Sequence, residues 1–305
     1  MKKKRDILFL RRSEIDSVKY NKCIREAKNS LAYAFSFYLD AVCDDWSVLI
    51  QGDYEMVMPL PLRKKYGVLY VYPPFFTQQL GVFSSAAIPN DILLDFISDI
   101  PKEIQFIQTN LNFANPCSQN CIERRNLVLS LNQTYEKLRC GYSKTLDRNL
   151  KKTQSISTSI ESTDDTARFL AFFKMHTLSK TKVIKKDDVV KLESLVDVLM
   201  ANSIAKIFVV KAGDEWLSAT LFLITKDRIT NLLVANSNKS KELNSSSKLL
   251  DHIIELYANT SYLLDFEGSE IEGVAKFYTS FGAAQQNYFQ YTLNRLPRLL
   301  RWIKG

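Results

Sequence analysis

The same order of predicted elements occurs twice in the chain, and this repetition constrains the fold more than any other feature. In the first half, the apolar segment WSVLIQ turns into YEMVMPLPL and then GVLYVY, and a loop, a helix and the strand IQFIQT follow. In the second half, KIFVVK, WLSATLFLI and ITNLLVA are followed by a polar loop, the helical segment KLLDHIIELYA and the strand SYLLDFE. Corresponding segments are about 160 residues apart, a period typical of a duplicated domain.

Helical patterns precede each predicted sheet, at 13–27 and 36–42 in the first half and at 164–178 and 187–200 in the second. The repeated unit is therefore helices, a three-stranded meander, a loop, a helix and a strand. This order predicts an α+β protein with two tandem domains, each a mixed, largely antiparallel sheet flanked by helices. We expect an N-terminal domain over 1–134, a basic linker helix over 135–155 and a C-terminal domain over 156–305.

The predicted linker helix carries apolar side chains every three or four residues on one face and basic side chains on the others. The net charge of +8 and the pI near 9.1 favour anionic partners. Two interpretations are open for Arg148, Lys151 and Lys152. They form a solvated basic face, or they bind phosphate at the mouth of an inter-domain cleft.

The cysteines indicate the redox environment. The chain has 5 of them, an odd number without framework spacing, so we expect reduced thiols and a cytoplasmic location. The apolar core at 7–10 is shorter than the about 7–15 residues of a signal peptide, and no segment reaches transmembrane length. Cys117 and Cys121 would need further ligands to hold a metal, and the chain has only two histidines, so we expect no metal.

Three segments carry a family resemblance: PPFFTQQLGVFS, YSKTLDRNLKKT and DFEGSEIEGVAKFYTSFGA. With these motifs and the duplication, the sequence resembles the FemABX group of the GNAT acyltransferase superfamily over 38–282, and without a long coiled-coil arm it is similar to the compact FemX type. The resemblance implies two tandem GNAT-like domains, with the donor in the second and the acceptor in the cleft. It implies an N-acyltransferase without a tightly bound cofactor. The co-substrate would be an acyl-CoA or an aminoacyl-tRNA, and the acceptor an amine such as that of a peptidoglycan or other cell-envelope precursor.

Two carboxylates stand at the end of the last predicted strand. Asp265 and Glu267 alternate with Phe266, so both are expected on one face of the strand, where one of them could accept the proton of an attacking amine. In the structural alternative, a carboxylate caps the following helix or pairs with Lys276.

Tyr278 departs from the pattern of the family. FemX-like proteins usually have a lysine after the phenylalanine of this segment, and its charge is thought to stabilise the transition state, whereas this chain reads Lys276-Phe277-Tyr278. A tyrosine hydroxyl donates one hydrogen bond but carries no positive charge at neutral pH. Lys276 is then a candidate for supplying the charge.

The donor-binding loop departs as well. GNAT enzymes that use CoA usually have a glycine-rich loop before the helix that follows the meander, whereas this chain has Ser245, Ser246, Ser247 and Lys248. Serine hydroxyls can bind the donor phosphates there, or they can simply cap the helix.

An aromatic and amide-rich loop in the first domain provides candidate acceptor contacts. Gln79 would hydrogen-bond a sugar or peptide, and Tyr72 or Phe75 would stack on it; alternatively, the adjacent prolines only fix the loop. A different class of function also fits the sequence, namely a catalytically inactive GNAT-like module that binds RNA or another polyanion through the basic helix. The sequence pattern does not determine the oligomeric state.

Overall fold

The computed structural model describes residues 6–89, 91–153, 157–180, 186–268 and 270–297. These residues form two compact units. The N-terminal unit is discontinuous: it comprises the chain up to Arg124 and again from Asn287 onwards. The C-terminal unit comprises 125–286. Each unit is a mixed sheet flanked by helices, which confirms the predicted α+β class.

The elements of the N-terminal unit come from both ends of the chain. Its strands are β1 Ile7–Arg11, β2 Asp45–Gln51, β3 Met56–Lys65, β4 Val68–Val71, β5 Phe83–Ser84, β6 Ile104–Asn110, β7 Cys121–Arg124 and β15 Tyr288–Asn294. Its helices are α1 Ser17–Glu26, α2 Ser36–Val42 and α3 Ile92–Ser98. The sheet order is β1-β2-β3-β4-β6-β15-β7, with β5 paired to β3.

The C-terminal unit repeats this plan. Its strands are β8 Leu127–Ser130, β9 Ser159–Thr163, β10 Ala205–Ala212, β11 Glu215–Ile224, β12 Arg228–Asn236, β13 Leu263–Asp265 and β14 Ala284–Gln285. Its helices are α4 Tyr135–Cys140, α5 Lys144–Thr153, α6 Thr166–His176, α7 Lys186–Ala201, α8 Asn238–Glu242, α9 Ser245–Leu256 and α10 Glu272–Thr279. The sheet order is β14-β8-β13-β12-β11-β10-β9.

One parallel pair interrupts each otherwise antiparallel sheet. The pairs are β4–β6 and β12–β13, and they are joined by the crossover helices α3 and α9. The interior strand β11 is buried from 216 to 223 because helices contact this sheet on β10, β11 and β12. A strand covered on both faces reads as a continuous apolar run, which explains the segment WLSATLFLI.

The two units exchange one strand position. In the N-terminal sheet the strand after β6 is β15, and in the C-terminal sheet the strand after β13 is β8. Each of these strands therefore completes the sheet of the other half of the sequence. The observed division, after Arg124 and before Asn287, differs for this reason from the boundaries predicted at 134 and 156.

The predicted linker helix is two helices. The helix is interrupted after α4, where Gly141 N donates to Leu138 O (3.0 Å) and Ser143 N donates to Ser280 O (2.8 Å). Leu138 and Leu146 are buried in the core of the C-terminal unit, so α4 and α5 are part of that unit rather than a linker. Residues 154 and 155 of the predicted helix lie outside the described residues.

The prediction of reduced thiols is wrong for Cys117 and Cys121, which form a disulfide. Asn120 has a left-handed φ of 58° and turns the chain back, so that the two Cα atoms lie 6.3 Å apart, a distance compatible with a disulfide. Within the described ranges, no helix is long and apolar enough to cross a membrane. In the same ranges, no group of three or more His, Cys, Asp or Glu side chains could hold a metal ion.

Candidate functional site

A cavity opens beside the free part of β12 in the C-terminal unit. β12 and β13 pair only from Arg228 to Thr230, whereas β12 continues to Asn236. Helix α10 contacts this unpaired part, since Asn231 Nδ2 donates to the hydroxyl oxygen of Tyr278 at 3.2 Å. The cavity, here called the α9–α10 cavity, has a volume of about 700 Å³ and is lined by residues of β11, β12, α5, α8, α9 and α10 and by Lys180.

A β-bulge positions Asn231. Leu221 pairs with Leu233 and Phe222 pairs with Asn231, so Leu232 is the extra residue. Such bulges re-aim side chains next to functional sites. Asn231 is only 3% exposed, and its Oδ1 has no hydrogen-bond partner among the described residues. An unpartnered buried amide oxygen costs free energy, which a ligand that donates a hydrogen bond would recover.

Tyr278 is a protonated hydrogen-bond donor at neutral pH. Burial, assisted by the negative charge of Glu267, raises its pKa to about 12, although the hydrogen bond from Asn231 acts in the opposite direction. Its ring stacks on Phe266 with the centroids 4.8 Å apart, which fixes its orientation. Because the hydroxyl oxygen accepts from Asn231, the hydroxyl proton is available to a ligand in the cavity.

The serines at the start of α9 form a hydroxyl network. Ser245 Oγ lies 2.6 Å from Ser218 Oγ and donates to Ser240 Oγ at 2.7 Å, and Ser246 Oγ donates to Asn236 Oδ1 at 2.6 Å. No side chain of the N-cap residue caps this helix. The hydroxyls therefore connect the start of α9 to β11, β12 and α8. Ser246 and Ser247 also line the α9–α10 cavity.

The start of α9 combines free backbone amides with nearby cations. Asn244 adopts a left-handed conformation (φ 50°), and the first helical hydrogen bond runs from Lys248 N to Asn244 O (3.0 Å). The amides of 245–247 precede this bond and have no helical acceptor. Lys180 and Lys241 line the same cavity, so this end of it favours an anionic group.

Lys248 occupies a different place from the predicted one. Its Nζ donates to Thr158 O (3.0 Å) and Thr158 Oγ1 (2.7 Å), and burial lowers its pKa. Lys248 does not line the α9–α10 cavity, whereas the predicted donor residues Ser246 and Ser247 do. Ser245 lies beneath them, at 1% exposure.

A second cavity of about 710 Å³ lies along α10 and shares Asn149, Ser247, Gly273 and Phe277 with the first. Lys276 lines this second cavity, where it pairs with Glu272 at 2.6 Å, and both side chains are largely exposed. Lys276 and Tyr278 thus belong to different cavities, and the structure does not bring the Lys276 ammonium to the Tyr278 hydroxyl.

The two carboxylates of the DFE segment have different environments. Asp265 is fully buried and is held by an ion pair with Arg228 and by hydrogen bonds from Asn126 Nδ2 (3.1 Å) and Glu267 N (2.9 Å). These contacts fit the structural alternative. β13 ends at Asp265, and Glu267 has a left-handed φ of 57°, so the expectation that both acids share one strand face is wrong.

The turn after Glu267 requires a glycine. A Cβ on Gly268 would lie 2.3 Å from Arg125 O and 2.6 Å from Asn126 Cα, and Gly268 has a φ of 38°. This close approach holds the DFEG turn against the start of β8. It leaves Glu267 near enough to Tyr278 to affect the tyrosine pKa.

The predicted basic residues of α5 are not part of the lining of either cavity. Asn149 lines both cavities, whereas Arg148, Lys151 and Lys152 line neither. Lys151 pairs with Asp147 on its own helix at 2.8 Å and remains 68% exposed. This placement fits the interpretation of a solvated basic face.

The remaining acceptor candidates belong to the N-terminal unit. Gln79 is fully buried, and its Oε1 accepts from Phe113 N at 2.9 Å, a contact that fits loop fixation. The Tyr72 ring lies under Arg63, with the guanidinium carbon 4.1 Å from the centroid. Phe75 is 38% exposed and is the most accessible of the three predicted residues.

No protein-family model and no curated protein matches the sequence. Among solved structures, the chain is similar to the crystal structure of FemX, with a TM-score of 0.68 and 13% identity over 98% of this chain and 100% of that chain. The chain has the fold of FemX. The resemblance to FemX-type, GNAT-like proteins that the sequence indicates is thereby confirmed at the level of the fold.

Two further solved structures share this FemX-like fold. A tandem GNAT protein from the clavulanic acid biosynthesis pathway has a TM-score of 0.54 and 9% identity over 96% of this chain and 99% of its own. L-PGS from Bacillus licheniformis has a TM-score of 0.52 and 10% identity over 83% of this chain and 85% of its own. At these identities the likeness concerns the fold alone.

Sequence reasoning missed Asn231, Lys180 and Lys241 as cavity residues. The sequence contains a sign of the role of Asn231, because an amide within the apolar run ITNLLVA needs a hydrogen-bond partner once it is buried. It contains no such sign for the two lysines, since an isolated lysine in a polar segment is usually solvated.

Proposed function

We propose that the chain is an N-acyltransferase whose α9–α10 cavity holds an acyl or aminoacyl donor, and that it acts in the cytoplasm. One observation carries the proposal: a single cavity combines the open amides of α9, beside Lys180 and Lys241, with the Tyr278–Asn231 pair. The first group suits the phosphates of CoA or of a charged tRNA. The second suits a carbonyl oxygen that becomes negative during the reaction.

The proposed reaction is acyl transfer to an amine. The amine nitrogen forms a C–N bond to the carbonyl carbon, and the C–S bond of a thioester or the C–O bond of an aminoacyl ester breaks. The amine loses one proton, and the leaving group, a thiolate or a ribose alkoxide, gains one and departs as a thiol or a hydroxyl. The Tyr278 hydroxyl donates a hydrogen bond to the carbonyl oxygen as its charge develops.

Glu267 is the proposed proton acceptor, because its charge acts on Tyr278, which lines the α9–α10 cavity, whereas Asp265 is buried in an ion pair with Arg228. A positioned base of this kind typically contributes about 10²–10⁴-fold to the rate. The test is Glu267→Gln, which keeps the shape of the side chain and removes its charge. An unchanged turnover number would eliminate this role and leave proton transfer to the substrates themselves.

The acceptor is proposed to be an amine of a cell-envelope precursor, in line with the FemABX resemblance of the sequence. The second cavity adjoins the donor cavity through four shared residues and is large enough for part of such a molecule. Arg125, Lys276 and Glu272 line it, and because Lys276 pairs with Glu272, Arg125 is the cation that favours an acceptor with an anionic group. Phe75, Tyr72 and the basic residues of α5 remain predicted acceptor contacts.

The decisive experiment is a thermal-shift titration with acetyl-CoA, longer acyl-CoAs, free CoA and a non-hydrolysable aminoacyl-tRNA analogue. A ligand at one hundred times its Kd adds about 2.7 kcal/mol of stability. For a protein of this size, such a gain raises the Tm by several degrees. Lys180→Ala and Lys241→Ala should weaken the shift, whereas Arg148→Ala and Lys151→Ala, which alter residues outside the cavity, should not.

A second candidate function is favoured by the exposed basic face of α5. A catalytically inactive module that binds RNA or another polyanion would use Arg148, Lys151 and Lys152, which line neither cavity. Its affinity would fall steeply with salt and would be lost in the α5 variants. In that case, Lys180→Ala and Lys241→Ala would bind as the wild type does.

A further inference from the structure

A third cavity of the C-terminal unit, of about 520 Å³, is lined by α6, the start of β11 and the segment 237–239. Its wall is aromatic. The ring centroids of Phe172 and His176 lie 4.5 Å apart, and those of Phe172 and Trp216 lie 5.8 Å apart. Met175 adds a thioether side chain that is 67% exposed. Such a wall suits a flat, largely apolar ring.

The charged groups of this cavity already have partners. Arg168 donates to Asp214 O at 2.6 Å and lies over the Trp216 ring, 4.5 Å from its centroid. Lys239 pairs with Glu215 at 2.7 Å. The ligand is therefore recognised by the rings and by uncharged polar groups more than by an unpaired charge.

Two buried polar atoms of the lining have no partner among the described residues, namely Trp216 Nε1 and Ser237 Oγ. Trp216 is 5% exposed, and its ring N–H can only donate. Ser237 Oγ can donate or accept. Ser237 N donates to Leu217 O at 2.9 Å, which holds the serine beside the strand position next to Trp216.

This cavity adjoins the proposed donor site. Ser237 and Asn238 line both, so this short segment is shared between them. A donor whose phosphates lie at the start of α9 can therefore extend past this segment. Whatever follows the phosphates in the donor would reach the aromatic wall.

We propose that the third cavity binds a nucleobase of the donor, adenine or cytosine. Both bases present a ring nitrogen that accepts a hydrogen bond beside an exocyclic amine that donates one. Trp216 Nε1 donates to the ring nitrogen, Ser237 Oγ accepts from the amine, and Phe172 contacts the ring. This inference rests on the proposed function, because the base belongs to the donor: CoA carries adenine, and tRNA ends in cytosine, cytosine and adenine.

The test is isothermal titration of the full chain with adenosine 3′,5′-bisphosphate and with the trinucleotide CCA. Trp216→Phe keeps a ring but removes the N–H, and Ser237→Ala removes the hydroxyl. Each variant loses one hydrogen bond, so we expect about threefold to tenfold weaker binding. Trp46→Phe and Ser98→Ala, in the N-terminal unit, are the matched controls and should bind as the wild type does.

Comparing the affinities of the two probes identifies the source of the base. Tighter binding of the bisphosphate assigns the site to CoA, and tighter binding of CCA assigns it to tRNA. Equal affinity of wild type, Trp216→Phe and Ser237→Ala for both probes overturns the inference. Tighter binding of uridine monophosphate than of either probe also overturns it, because the site would then serve a different molecule.

Acetyl-pantetheine separates this inference from the proposed function, because it is a thioester without a nucleotide. If the protein acylates an amine from acetyl-pantetheine and neither nucleotide probe binds, the donor function stands and the base site is refuted. If the probes bind in a Trp216-dependent manner and neither thioesters nor aminoacyl esters react, the base site stands and the acyltransferase proposal fails.

Discussion

Replacing Asp265 with asparagine tests whether this carboxylate is a structural group. In Asp265→Asn the side chain keeps its shape and an oxygen that can accept from Asn126 and from Glu267 N, but it loses the charge that faces Arg228. The side chains of Arg228 and Asp265 are only 5% and 0% exposed. Removing one partner of such a buried pair leaves an uncompensated charge, at a cost of about 3–5 kcal/mol.

The matched control is Glu272→Gln, which breaks the ion pair with Lys276. These side chains are 76% and 75% exposed, so the loss should be about 0–1 kcal/mol. Hydrogen exchange of β12 and β13 peptides across a urea series measures the free energy of opening for this unit. A loss below about 1 kcal/mol in Asp265→Asn would refute the reasoning, because it would show that Arg228 is solvated or paired elsewhere.

Three further variants test other parts of the site. Gly268→Ala should lower the free energy of unfolding by more than Gly213→Ala, because a Cβ at 268 would overlap Arg125 O at 2.3 Å whereas nothing lies within 4 Å at 213; equal Tm losses would contradict this. Asn244→Ala should destabilise by about 1 kcal/mol, the cost of a left-handed residue without a compatible side chain, as measured by urea unfolding. Tyr278→Phe should lower kcat by about 10²–10³ with little change in KM, whereas a normal kcat would exclude the hydroxyl from the transition state.

The local elements were predictable from the sequence, but the pairing of strands was not. The meanders and α9 follow from apolar runs and helical spacing over short stretches of chain. β8 and β15 are also short segments, and nothing local in them encodes that each pairs with the other half of the chain. Strand partners are set by tertiary packing, which single-sequence patterns do not contain.

The candidate site was predictable only in part. Ser246, Ser247 and Tyr278, which the sequence suggests as site residues, line the α9–α10 cavity, whereas the strand end at 265–267 lines neither this cavity nor the second one. The orientation of Glu267 was not predictable, because one left-handed residue cancels the alternation of a strand. The position of the Lys248 side chain was not predictable either, because its partner Thr158 is distant in the sequence.

The strand exchange affects how the protein matures on the ribosome. β15 is synthesised only after the whole C-terminal unit. The edge of β6 that pairs with β15 therefore stays unpaired while 125–286 is translated. At about 5–20 residues per second, this wait lasts on the order of ten seconds. An unpaired strand edge invites pairing with other chains. Aggregation, and the need for a chaperone, should therefore be greatest while the N-terminal half of the chain has been made and β15 has not.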